Sequence, residues 1–183
     1  MHLLSHLLRH FIPNQIFAEA FYTQSDFDSD FDTSGFGIKG SYEFGEYFFV
    51  EANYTQSSGD INNFDIDYDT FQYGLGAKYA LDNGVTVFAS YNLGDWKLEE
   101  ANTGDESFDV DTFKLGLRSN ITDAIELNAA YTNTDPEEGD RESGFVLGAN
   151  YKVAETWFVT AGYSRIAGDR DVDTLNIGLR KTF

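Results

Sequence analysis

The segment 173–183 alternates between two kinds of residue. Apolar residues occupy positions 175, 177, 179 and 183, whereas positions 176, 178, 180 and 182 carry polar residues or glycine. A period of two residues indicates a β-strand, because successive side chains of an extended chain point to opposite faces. The fold must therefore accommodate a strand with one apolar face and one charged face, and one of these two faces must lie in the interior.

The same pattern recurs along the chain as an internal repeat. Each unit contains an ascending strand with an Ala-x-Tyr motif, an acidic segment, and a descending strand with a central glycine. Tight turns join the units, and the Asn-Gly pair at 83–84 is a strong hairpin signal. Five such hairpins predict ten strands, at about residues 15–24, 33–44, 47–57, 68–81, 85–96, 109–121, 124–133, 143–153, 156–165 and 173–183.

This layout predicts an all-β, transmembrane, antiparallel up-and-down β-barrel of ten strands, with eight as the alternative count. Short turns at one end and longer acidic loops at the other are typical of such barrels, whose dyad alternation averages away in mean hydropathy, here -0.37. Residues 15–183 form the predicted barrel domain, and residues 1–14 are interpreted as a leader or a segment outside the barrel. The chain contains no cysteine, so disulfides and thiolate metal sites are excluded.

The polar faces of the strands carry opposite charges at matching depth. Glycines beside the long cations leave room for those side chains to cross a lumen, whereas a soluble barrel would have to bury many charges and expose an apolar wall. We therefore expect the apolar faces to contact lipid and the charged faces to form an interior network. Its predicted members are Lys39, Lys78, Arg118, Lys152, Arg180, Glu19, Glu43, Glu51 and Glu126.

Aromatic residues recur at both ends of the predicted apolar band. Amphipathic rings are stable at the two headgroup layers of a bilayer, so two aromatic belts are expected there. The alternative explanation is the ordinary strand propensity of aromatic residues, but a fivefold recurrence at one depth favours the belts. The predicted interface aromatics are Tyr22, Tyr54, Tyr91, Tyr131 and Tyr163 at the loop end, with Trp157 near the turn end.

Two motifs carry a resemblance to a known family: the terminal Leu175-x-Ile177-Gly-Leu179-x-x-x-Phe183 and the segment from Gly35 to Phe44. With them, residues 15–183 resemble small bacterial outer-membrane β-barrels of the porin-like superfamily, alongside the OmpA transmembrane domain and opacity-type barrels. The resemblance implies an integral outer-membrane protein. It also implies that Phe183 is the signal read by the barrel-assembly machinery, although a belt aromatic would satisfy the same position.

The predicted loops hold the charge of the molecule. They contain 23 acidic residues and four basic ones, which accounts for the formal net charge of -19. Such a rim disfavours nucleic acid. Carboxylates two residues apart suit Ca²⁺, yet no complete EF-hand pattern is present. We therefore interpret the rim as a solvated acidic surface. The more specific alternative is that it loosely binds divalent cations, which bridge to lipopolysaccharide phosphates.

Two functions remain open from the sequence. The first is a porin-like barrel with a narrow charged lumen that passes ions or small polar solutes weakly, since an acidic mouth favours cations. The second is a structural or adhesive envelope protein that presents its loops without transport. Neither catalysis nor a cofactor is expected, because no histidine follows His10 to serve as a base. A monomer is expected, and a soluble lipocalin-like binder would require the apolar face to point inward.

Overall fold

The computed structural model is a single closed antiparallel barrel of ten strands. It describes residues 16–27, 31–61, 64–100, 104–137, 139–167 and 171–183. Each strand pairs with its sequence neighbour, and β1 closes the barrel against β10. The ten-stranded fold predicted from the repeat is confirmed. The predicted leader, residues 1–14, lies outside the described residues.

The strands are connected in simple up-and-down order. Their bounds are β1 Phe17–Phe27, β2 Phe31–Phe44, β3 Phe48–Ile61, β4 Phe64–Ala80, β5 Val85–Glu100, β6 Gly104–Asn120, β7 Ile125–Pro136, β8 Glu142–Ala154, β9 Trp157–Ala167 and β10 Val172–Thr182. We call the end with residues 45–47, 81–84, 121–124 and 155–156 the turn end, and the opposite end the loop end. Gly84 has a φ of 82°, which the predicted Asn-Gly turn requires.

The two faces of the wall are inverted relative to a soluble barrel. Leu117, Leu175 and Ile177 point outward and are half or more exposed. Glu19 and Arg180 point inward and are buried. The predicted orientation is therefore the one that the structure adopts. No helix among the described residues is long and apolar enough to cross a membrane.

Aromatic rings fill the interior beside glycines. Phe49 lies directly opposite Gly76 on the neighbouring strand, and Phe88 lies opposite Gly116. A Cβ atom built on Gly76 would stand 2.1 Å from the Phe49 ring. The missing side chain therefore makes room for the ring, and the same pairing recurs on β1 and β2. Gly37, Gly76 and Gly116 therefore have a packing role on three descending strands.

Four strands run four or five residues further at the loop end than the sequence analysis predicted. β5 continues to Glu100 instead of residue 96, β6 starts at Gly104 instead of residue 109, and β3 and β4 are extended similarly. The period-two alternation continues there, because Trp96 and Val110 point inward while Asp95 and Asp109 point outward. Asp95 and Asp109, which the sequence analysis placed in loops, therefore lie on the outer face of strand extensions.

Candidate functional site

The first charged cluster of the lumen surrounds Glu19 on β1. Its carboxylate contacts Lys39 Nζ at 2.9 Å and accepts a hydrogen bond from Arg180 Nε at 2.7 Å. Thr160 on β9 donates a third hydrogen bond at 2.8 Å. Because Lys39 lies on β2 and Arg180 on β10, this single buried carboxylate ties together both strands that flank β1. The cluster therefore reinforces the β1–β10 seam that closes the barrel.

The second cluster reaches across the lumen. Glu43 on β2 pairs with Lys78 on β4 and accepts a hydrogen bond at 3.3 Å from Arg118 Nη2 on β6. Strands β2 and β6 are four positions apart in a ring of ten, so this contact spans nearly the full width of the barrel. The side chains of Glu43, Lys78 and Arg118 are 2%, 10% and 15% exposed. Little water-accessible space remains at this depth.

The third cluster contains a cation that the sequence analysis did not select. Lys114 on β6 contacts Glu51 on β3 at 3.1 Å, and Ser90 donates a hydrogen bond to the same carboxylate at 2.8 Å. Lys114 lies on the strand and face of Arg118, four residues away, so the alternation alone could have identified it. This cluster is wetter than the second, since the side chains of Lys114 and Glu51 are 29% and 25% exposed.

The two remaining predicted lumen residues lie apart from these clusters. Glu126 is buried and accepts a hydrogen bond from Asn150 Nδ2 at 2.7 Å. Lys152 is exposed at the turn end, next to a register shift between β8 and β9. Lys152 makes no ion pair with any residue in the described ranges, so the structure does not bring it into the network. Because Lys152 lies near the end of β8 and beside this irregularity, its long side chain reaches water and not the lumen network.

An apolar cluster, which we call the cap, lies on the inward faces of β4, β5 and β6 at the loop end. Ile66 and Val110 are buried, and the rings of Tyr68 and Trp96 form an edge-to-face pair at 6.3 Å. Leu98 and Phe108 share this inward face. Burial raises the pKa of the Tyr68 phenol well above its ordinary value, and the nearby Glu142 carboxylate on β8 raises that pKa further. The strand extensions thus carry a small hydrophobic core above the lumen.

The loop-end tyrosines share one hydrogen-bonding pattern. Tyr54 donates to Asp69 at 3.1 Å, and Tyr91 donates to Asp111 at 2.6 Å. In each case the acceptor precedes, by two residues, the residue directly opposite the tyrosine. Tyr163 with Asp173 and Tyr131 with Ser143 follow the same rule. These tyrosines point outward, and Tyr22 packs edge-to-face on Phe36. The pattern explains why Asp-Thr opens several descending strands.

In the described part of the chain, no group of three or more His, Asp or Glu side chains is arranged to hold a metal ion. The loosely bound divalent cations expected at the rim stay a prediction. Two buried polar atoms of the lumen, Thr86 Oγ1 and Arg118 Nε, have no hydrogen-bond partner among the described residues. They lie on directly opposed residues, and both atoms are closed off from solvent.

Comparison with known proteins gave one family match. The family model described as outer membrane protein beta-barrel domain matches residues 16–183. A search of curated proteins found no match.

Several solved structures share the fold. The translocator domain of the autotransporter NalP from Neisseria meningitidis aligns with a TM-score of 0.58 and 12% identity, covering 93% of this chain and 89% of that one. The NanC porin aligns with a TM-score of 0.57 and 8% identity, covering 91% and 100%. The β domain of the Bordetella autotransporter BrkA aligns with a TM-score of 0.56 and 13% identity, covering 92% and 99%. At these identities the likeness shows the fold alone.

Proposed function

The chain belongs to the outer-membrane β-barrel domain family and is an integral protein of the bacterial outer membrane, and on that premise we propose that it acts as a closed barrel. In this role it presents an acidic rim at the cell surface and stabilises the envelope or contacts partners, without transport. Of the two roles that the sequence leaves open, this is the structural or adhesive one. The short turns then face the periplasm and the loop end faces outward.

The observation that carries this proposal is the cross-lumen contact of Glu43 with Lys78 and Arg118. A conducting pore needs a continuous wet path, and barrels of about eight strands are filled by their own side chains. Here the interior charges of the cluster are paired and almost fully buried, as charges in a filled interior must be. Opening this level would separate the ion pairs and expose the rings of Phe49 and Phe88.

The cap supports the same conclusion from the other end. Ile66, Tyr68 and Val110 put apolar surface over the mouth of the lumen, where a cation-conducting vestibule would be lined by polar groups. Asp67, Asp95 and Asp109 on β4–β6 instead point away from the lumen axis, on the outer face of the extensions. Their field therefore acts on approaching partners and on neighbouring lipid headgroups.

Planar-bilayer recording of the purified, folded protein tests the proposal. We expect no steady conductance from the wild-type protein. The double variant Glu43→Ala/Arg118→Ala, which removes the cross-lumen contact but leaves the cap in place, should show transient openings. Lys152→Ala is the matched control: it deletes an interior-register cation that contacts no charged partner among the described residues, and it should stay silent. Retained heat-modifiable gel mobility shows that each variant is folded. A steady wild-type conductance contradicts the proposal.

A second candidate function, weak passage of small ions, is favoured by one observation. The Lys39 side chain is 35% exposed inside the barrel, and the Lys114–Glu51 pair is also partly wet. If the wild-type protein conducts, this wet region lies on the path. Lys114→Ala should then raise cation selectivity, because it removes a positive charge that opposes cations.

A further inference from the structure

One cation of the barrel wall points toward lipid instead of the lumen. Lys181 on β10 shares the outward register of Leu179 and Phe183 and lies directly opposite Trp157. Its Nζ lies 5.6 Å from the centre of the Trp157 ring and 5.1 Å from that of Phe183. Across the described strands, no other outward-facing lysine or arginine lies at or between the two aromatic belts. The remaining outward cations, Lys97 and Arg165, lie beyond the loop-end belt.

The depth of Lys181 determines what it can meet. Trp157 and Phe183 are 38% and 70% exposed on the outer wall, and they mark the aromatic belt at the turn end. Rings of this kind settle at the headgroup level of a bilayer. A lysine there extends its ammonium group toward the polar layer while its methylene stem covers apolar surface. Lys181 therefore presents its charge at the level of the phospholipid phosphates of the periplasmic leaflet.

Lys181 has no carboxylate partner among the described residues. It forms no ion pair with any described carboxylate, and its contacts are with ring faces, which attract a cation without neutralising it. The nearest turn carries Glu155, which is exposed at the rim and makes no ion pair with Lys181 in the described structure. The ammonium group of Lys181 can therefore pair with an anion that approaches from the lipid side, between the two rings.

From these observations we propose that Lys181, Trp157 and Phe183 form a binding site for the headgroup of an anionic phospholipid. The ammonium group binds the phosphodiester, and the two rings pack on the glycerol and upper acyl region. A zwitterionic headgroup is a poorer ligand because its own cation competes with Lys181 for the phosphate. This site is independent of whether the lumen is closed, since all three residues lie on the outer wall.

Fluorescence quenching provides a direct test, because the chain has two tryptophans. In a Trp96→Phe background, Trp157 is the only tryptophan reporter. The protein is reconstituted in phosphatidylcholine vesicles that contain a minor fraction of lipid with brominated acyl chains, either phosphatidylglycerol or phosphatidylcholine. We expect brominated phosphatidylglycerol to associate about fivefold better, which corresponds to about 1 kcal/mol per lysine at a membrane surface.

Three further arms make the result decisive. Lys181→Gln should reduce the preference to about one, Lys181→Arg should keep it, and Lys152→Gln, at the same end but on the interior register, should leave it unchanged. If Lys181→Gln fails to fold, high salt applied to the Trp96→Phe protein should abolish the preference through screening. Equal quenching by the two brominated lipids overturns the proposal, as does a preference that survives both loss of Lys181 and high salt.

Discussion

The charge on Glu43 can be removed with almost no change in shape by the substitution Glu43→Gln. In the native barrel this carboxylate serves both Lys78 and Arg118, and all three side chains are at least 85% buried. The variant leaves two cations in the lumen with no described carboxylate in contact. Breaking a buried ion pair by removing one partner costs about 3–5 kcal/mol. The retained amide oxygen can still accept a hydrogen bond, so we expect the lower end, about 3 kcal/mol.

The matched control is Asp135→Asn. This substitution also removes a carboxylate from an arginine, but Asp135 and Arg141 are 48% and 62% exposed. Exposed pairs contribute little because water and salt screen them. Equilibrium urea unfolding in lipid vesicles, followed by tryptophan fluorescence, measures the free energy of unfolding of each variant. Glu43→Gln should therefore lower the free energy of unfolding clearly more than Asp135→Asn does.

A double variant separates lost pairing from general damage. Glu43→Gln/Lys78→Met removes one of the two uncompensated cations, so it should be more stable than Glu43→Gln alone. Such non-additivity is expected for residues in one contact network. The reasoning is refuted if Glu43→Gln costs no more than Asp135→Asn, or if the second substitution adds to the loss. Either result would mean that water already solvates these charges and that the lumen is open at this depth.

Two other perturbations probe the packing of the interior and the cap. Gly76→Ala places a Cβ atom 2.1 Å from the buried Phe49 ring and should lower the free energy of unfolding by about 1–3 kcal/mol. In the control Gly162→Ala the new Cβ atom would have its nearest heavy atom 3.6 Å away, so this variant should be neutral or stabilising. Equal losses of stability in the two variants would contradict the role of Gly76 in making room for the ring. Tyr68 has a pKa raised by burial, so its stabilising contribution is complete below the ordinary tyrosine pKa and is lost as the pH rises above it. In an ultraviolet phenolate titration, Tyr68→Phe should remove amplitude only from the most alkaline part of the curve, and a loss at ordinary tyrosine pH would show that the cap is open.

Much of this architecture could be predicted from the sequence. The strand count and the turn positions follow from the internal repeat and its turn residues, and the inward register of Glu19, Glu43 and Arg118 follows from residue parity along each strand. The choice of ion-pair partners in the lumen does not follow from parity. Whether Arg118 meets Glu43 on β2 or Glu51 on β3 depends on the stagger between strands and on the barrel diameter, neither of which a single strand encodes. Lys114 shows the difference, since its parity is plain but its pairing with Glu51 is visible only in the assembled barrel.

The predicted strand ends were too short for a related physical reason. Along β4, apolar residues such as Phe71 and Tyr73 face outward, but beyond Phe71 the sense reverses, with Asp69 facing outward and Tyr68 inward. Acidic residues were interpreted as loops because they interrupt the expected outward apolar face. The period-two alternation continues along these strands, and what changes is which face carries the apolar residues.

This reversal locates the boundary between lipid and water on the protein. Within the bilayer a strand is stable with apolar residues outside and paired polar residues inside. Above the bilayer the surroundings are water, so the same strand is stable with acids outside and an apolar core inside. On β4, β5 and β6 the switch falls at the level of the loop-end tyrosines, between Phe71 and Asp69, Leu93 and Asp95, and Phe113 and Asp111. The belt hydrogen bonds of Tyr54 to Asp69 and Tyr91 to Asp111 bridge that boundary. On β4, β5 and β6 the barrel is therefore a membrane wall below this level and a water-exposed sheet with its own apolar core above it.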